Sequence, residues 1–123
     1  MQRNMDLVRK ILLQLESSPG GWTAKDLGIL SFSPQETAYH AHIMSQEGLI
    51  EPVDGTTAHG AGPEASPLSL TWKGHEFLDL ARDQSRWIRA KAIIEKVGGG
   101  PIAVWVKVLN DLVLQSVNNG SSN

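Results

Sequence analysis

The chain has 123 residues, enough for one domain with an appended segment. With 41% hydrophobic and 20% charged residues it has the composition of an ordinary folded protein, which excludes a disordered tail or a membrane-embedded chain. A formal net charge of −2 does not advertise nucleic acid or an anionic membrane, and the absence of cysteine excludes disulfides and thiolate metal sites.

Met5, Val8, Ile11, Leu12 and Leu15 recur at three- and four-residue spacing, which predicts a helix over about residues 5–17 with one apolar stripe. Asn4 can cap its start, Asp6 suits its first turn, and Pro19-Gly20-Gly21 stops it. No long apolar run follows the basic residues of the N-terminal MQRNMDLVRK, so a secretory signal is not expected and the cytoplasm is the expected compartment. The segment WTAKDLGILSF, residues 22–32, fits either one short turn capped by Thr23 or an extended stretch. Ser33-Pro34-Gln35-Glu36 is a capping box with proline at the first helical position, so a helix is predicted to run on to Glu47 and to stop at Gly48. Leu49, Ile50 and Val53 read as a short strand. The run DGTTAHGAGPEASP, residues 54–67, reads as a flexible loop, and the alternation of Leu68-Ser69-Leu70-Thr71-Trp72 predicts a second strand that closes a hairpin. Thr71 can cap a further helix over about residues 73–81. Another follows over 84–97, capped by Asp83, then a hinge at Gly98-Gly99-Gly100. Pro101 opens a last helix to about Val117, before a frayed NNGSSN tail.

The expected architecture is thus mainly α with a small β-hairpin: a winged helix-turn-helix core over residues 1–72, extended by three helices. As domains, residues 1–100 read as a winged-helix domain with a helical extension, and 101–123 as a C-terminal amphipathic helix with a disordered tail. The expected core comprises Val8, Ile11, Leu12, Leu15, Ala41, Met44, Leu49, Ile50, Leu70, Phe77 and Leu78.

Three stretches, NMDLVRKILLQLE, AYHAHIMSQEGLIE and LSLTWKGHEFLDLARD, carry a family resemblance. With the signatures Met5-Asp6-Leu7, Ala38-Tyr39-His40, Gly48-Leu49-Ile50, Leu70-Thr71-Trp72 and Gly74-His75-Glu76-Phe77-Leu78, the chain resembles an uncharacterised winged-helix family of phages, prophages and mobile elements, a domain of unknown function. The similarity covers roughly residues 3–100. It implies a fold and a mobile-element origin, and no activity. Ala41, His42 and Ser45 depart from the pattern, standing where larger aliphatic or basic residues are expected.

No catalytic or metal-binding constellation emerges. His40 and His42 are two apart on a helix, so they point about 200° apart and do not chelate together. His59 falls in the loop, His75 starts a helix, and His40 and His75 are expected to be partly buried packing residues. There is no HExxH, no G-x-S-x-G and no phosphate loop, since Gly60-Ala61-Gly62-Pro63 lacks the lysine and the following helix; neither a cofactor nor an enzymatic activity is expected. A DNA-binding winged helix would present residues 34–47 to the major groove, where Gln35, Tyr39, His42 and Gln46 form the expected exposed face. Yet residues 26–72 contain six acidic residues and no lysine or arginine, the wrong sign for phosphate. Positive charge gathers instead at Arg82, Arg86, Arg89, Lys91 and Lys96. On a continuous helix the three arginines would form a narrow stripe, either for an anion or acidic partner or as a solvated face. In the last helix Ile102, Trp105, Val106, Leu109, Leu112, Val113 and Val117 cover nearly half the circumference. That face either packs on the chain's own core, with Trp87 and Ile94 as a landing site, or pairs with a second copy. The expectation is a homodimer through Ile102, Trp105, Leu109, Leu112 and Val113, with Trp105 and Leu109 near its centre. The functional expectation is a non-enzymatic module that binds and modulates a host protein, with no membrane partner; the alternative is a winged-helix DNA-binding transcriptional regulator.

Overall fold

A computed structural model of the chain describes residues 1–17, 31–52 and 68–121. Five helices and one two-stranded antiparallel sheet make up the described residues: α1 (Met5–Glu16), α2 (Pro34–Glu47), β1 (Ile50–Pro52), β2 (Leu68–Leu70), α3 (Trp72–Ala81), α4 (Gln84–Glu95) and α5 (Ile102–Ser121). The protein is mainly helical with a small hairpin. Residues 22–30 of the segment that fits either a short turn or an extended stretch, the hairpin tip over 54–67, Val53 and His59 lie outside the described residues.

Local chemistry sets most of the boundaries. The Asn4 side chain accepts from the backbone N–H groups of Asp6 and Leu7, at 2.9 and 3.3 Å, and so starts α1. At α2 both halves of the capping box are made: Ser33 Oγ accepts from Glu36 N–H at 3.0 Å, and Glu36 Oε1 accepts from Ser33 N–H at 3.1 Å. Gly48 ends α2 in the left-handed conformation, φ 85°, which a side chain would strain. The chain then turns directly into β1, and Ile50 pairs with Leu70, Glu51 with Ser69 and Pro52 with Leu68.

The second strand ends earlier than the LSLTW alternation predicts. Thr71 Oγ1 accepts from Gly74 N–H at 3.0 Å and the Thr71 carbonyl accepts from His75 N–H at 2.9 Å, so α3 already begins at Trp72. The Thr71 hydroxyl also donates to the Gly48 carbonyl, and Thr71 N–H donates to the Leu49 carbonyl at 3.1 Å, tying the hairpin base to the end of α2. Gly74 is required by this closeness: a Cβ there would lie 2.0 Å from the Leu49 oxygen. Asp83 caps α4 as expected, accepting from Arg86 N–H at 2.8 Å. The last helix does not fray at residue 118 but continues to Ser121. No breaker precedes Gly120, and one glycine costs a helix only about 1 kcal/mol.

The chain forms two compact units, Met1–Leu78 and Asp79–Asn123. The division falls before α4 and not at the triple glycine, because α4 and α5 pack on each other. In the first unit α1 buries Met5, Leu7, Val8, Ile11, Leu12 and Leu15, joined in the core by Ala41, Met44, Leu49, Ile50, Leu68, Phe77 and Leu78. Leu70, expected inside, is half-buried, and Leu68 takes the fully buried place on β2. In the second unit Trp87, Ala90 and Ile94 of α4 are buried, as are Trp105, Leu109 and Leu112 of α5. The Trp87 and Trp105 rings stack with centroids 4.6 Å apart and planes at 27°. No described helix is long and apolar enough to cross a membrane.

Candidate functional site

The exposed side of α2 follows from its helical period. Thr37, His40, Ala41 and Met44 face inward. Gln35, Tyr39, His42 and Gln46 recur at four, three and four residues and are all exposed on the opposite side. The Gln46 amide nitrogen lies 3.3 Å from His42 Nε2, so these two polar groups form one pair. No lysine or arginine belongs to α2, β1 or β2. This face offers hydrogen-bond donors and acceptors with one aromatic ring and no cation.

Behind it, His40 acts as a clasp. It is 1% exposed, and its Nε2 accepts from the Asn4 backbone N–H at 2.8 Å, while Nδ1 lies 2.8 Å from the Glu36 carbonyl. A carbonyl only accepts, so Nδ1 carries the proton and the ring is the neutral Nδ1–H tautomer. The same imidazole thereby holds the cap of α1 and the first turns of α2. Tyr39 meets it edge-on, with centroids 5.7 Å apart, which couples the exposed face to the clasp. His75, expected to be partly buried, is instead exposed, because α3 turns Gly74, Phe77 and Leu78 inward and leaves residues 75 and 76 outside. His42 is exposed. Among the described residues no group of three His, Cys, Asp or Glu is placed to hold a metal ion.

The basic segment is not the stripe a continuous helix would make. The chain leaves α3 after Ala81 and re-enters a helix at Gln84, so Arg82 stands in the connection. Arg82 pairs with Asp79 at 3.1 Å. The Arg86 guanidinium donates to the Leu80 carbonyl at 3.1 Å and to the Asp79 carbonyl at 3.5 Å, which satisfies the last turn of α3. Lys91 is half-buried and Arg89 is exposed. Of the candidate anion contacts Arg82, Arg86, Arg89 and Lys91, at least Arg82 and Arg86 are therefore engaged with their own chain.

The expected dimer face is corrected most firmly. Trp105, Leu109 and Leu112 are 6%, 0% and 4% exposed within one chain, so they are core residues and not a surface for a second copy. The landing site on Trp87 and Ile94 is the alternative that the structure realises. Ile102 and Val113 are only half-buried at the margin of that contact. Sequence reasoning missed one prominent surface residue, Trp72, which is 81% exposed. Its apolar neighbours placed it in a half-buried strand, and only the early start of α3 turns it outward.

A mainly helical chain with a two-stranded hairpin and an uncharged polar helix face is a fold and not an activity. The chain belongs to the family described as hypothetical protein (DUF2513), whose model matches residues 2–101. It is similar to an uncharacterized protein of Haemophilus influenzae (strain ATCC 51907 / DSM 11121 / KW20 / Rd), 37% identical over 98 residues, which cover 77% of this chain and 80% of that relative. No solved structure matches the chain.

Proposed function

We propose that this chain is a non-enzymatic binding module, carried by a phage or another mobile element, that binds and modulates a host protein in the cytoplasm. The observation that carries this reading is the exposed α2 face of Gln35, Tyr39, His42 and Gln46, which is polar, aromatic and without a cation. Tyrosine is enriched at protein interfaces because it brings a rigid apolar ring and a polar tip together, and lysine is depleted there. A duplex-binding helix needs the reverse, since phosphate neutralisation by lysine and arginine supplies most of its affinity.

The second reading, a winged-helix DNA-binding transcriptional regulator, is favoured by one observation, the order of helices and hairpin strands in the first unit. One experiment separates the two. The purified chain serves as bait in host lysate, beside a duplex mobility shift at two salt concentrations. The expected result is one host protein retained by the wild type and lost with Tyr39→Ala combined with Gln46→Ala, and no shift. Salt-sensitive duplex binding at low micromolar protein, without a retained protein, reverses the order of the two readings.

A further inference from the structure

Trp72 is the most exposed large apolar side chain among the described residues, at 81%. An indole left in water forgoes burial free energy of about 25 cal/mol per Å² of apolar area, which a partner that covers it would recover. The ring is not loose. Its Nε1–H donates to the Glu76 carboxylate one turn further along α3, which holds the indole by its edge and leaves its broad faces open to solvent. Glu76 sits at the ring edge, and the unit Met1–Leu78 as a whole carries nine acidic against five basic residues. The next cation, Lys73, is paired with Glu47 at 2.7 Å and also donates to the Glu47 carbonyl at 3.1 Å.

We propose that Trp72 and Glu76 form the docking point for an arginine side chain in a basic segment of the partner protein. A guanidinium is planar and weakly hydrated, so it stacks on an indole face. Its fork of N–H donors reaches a carboxylate at the ring edge in the same pose. A lysine ammonium, a compact and strongly hydrated charge, does not satisfy both contacts. The acidic excess of this unit and the Glu76 carboxylate favour a basic partner, and the fixed indole favours arginine within that class. This inference rests on the protein-binding reading and gives that partner its chemistry.

The test uses the full chain and two fluorescein-labelled probes of equal charge, nona-arginine and nona-lysine, followed by fluorescence anisotropy at physiological ionic strength. Nona-arginine is expected to bind on the order of fivefold more tightly than nona-lysine, the size of an exposed cation–π contact. Trp72→Ala should equalise the two peptides, and Trp72→Phe should retain part of the preference. Glu76→Gln keeps an amide oxygen for the indole N–H but loses the charge, and should weaken nona-arginine severalfold. Equal affinity of both peptides for the wild-type chain, or an arginine preference that survives Trp72→Ala, overturns the proposal. The two hypotheses fail separately. If the α2-face substitutions leave host-protein capture intact while Trp72 still selects arginine, the α2 reading falls and the docking point stands. The converse pattern removes the docking point alone.

Discussion

Replacing His40 with alanine probes the clasp between α1 and α2 directly. The imidazole is almost fully buried and spans 36 positions of sequence to accept the Asn4 N–H. Two losses follow from its removal. Asn4 N–H loses its acceptor, at a cost of about 1 kcal/mol, the low end for a stranded donor because Asn4 lies at the surface where water can reach it. Truncation of the ring to a methyl group removes packing and leaves a cavity, at a cost of about 2 kcal/mol. The Glu36 carbonyl adds little, since it lies inside the helix and keeps its ladder bond.

The sum is about 3 kcal/mol, a large share of the roughly 5–15 kcal/mol that holds a folded domain. With a urea slope of about 2 kcal/mol per molar, the midpoint should fall by about 1.5 M. Urea unfolding followed by far-UV circular dichroism measures this. His40→Phe keeps most of the volume and removes both ring nitrogens, so it should cost less, about 1–2 kcal/mol. A loss below about 1 kcal/mol for His40→Ala would refute the view that this residue ties the two helices together.

Gly74→Ala would place a Cβ 2.0 Å from the Leu49 oxygen, which is backbone and cannot swing away, so a loss of at least about 2 kcal/mol is expected in thermal unfolding. Ser33→Ala removes one half of the capping box and should cost about 1 kcal/mol; double-mutant analysis with Glu36→Ala should then show the two losses to be coupled. Trp105→Ala should abolish the exciton couplet of the Trp87 pair in circular dichroism and cost about 3–4 kcal/mol, while the mass in light scattering stays unchanged. If any duplex binding is detected, Arg89→Glu should weaken it strongly. Silence of that change, with loss on Gln35→Ala and Gln46→Ala, would refute the charge argument.

The parts of the fold that were legible in the sequence are those decided within a few residues. Asn4, Ser33 with Glu36, Thr71 and Asp83 all cap helices through side chains bonded to backbone two or three positions away, and such contacts are written in adjacent letters. The apolar period of α1 likewise names its own buried face. What was not legible depended on competition or on distance. At Trp72 two local signals conflict, the strand alternation and the Thr71 cap. The cap wins because the Thr71 hydroxyl also ties to the Gly48 carbonyl, 23 residues away. The width of the α5 stripe was visible, but what covers it was not, since Trp87 belongs to another helix. The arginine stripe dissolved for a similar reason: Asp83 starts a new helix, and Arg86 turns back to carbonyls of the previous one.

The candidate surface became readable through charge more than through motif. Nine acidic residues stand against five basic ones in Met1–Leu78, and four against six in Asp79–Asn123, so the two units carry opposite signs. In a chain whose total is only −2 this partition is invisible to the net charge. It has a direct consequence for recognition. The unit with the exposed α2 face and the hairpin has an acidic excess, and Lys73 at the start of α3 is paired with Glu47. Long-range electrostatics sets which partners approach a surface, while short contacts at buried or fixed groups set which of them stay. On this unit the acidic excess underlies the proposed cationic partner, and the fixed groups are the Gln46–His42 pair, Tyr39 against the His40 clasp, and Trp72 anchored by Glu76. Each is held in place by a neighbour before any partner arrives, which lowers the ordering entropy that association would otherwise cost. The proposed basic protein segment, and its preference over a nucleic acid, rest on this one combination of an acidic excess and prepositioned aromatic rings.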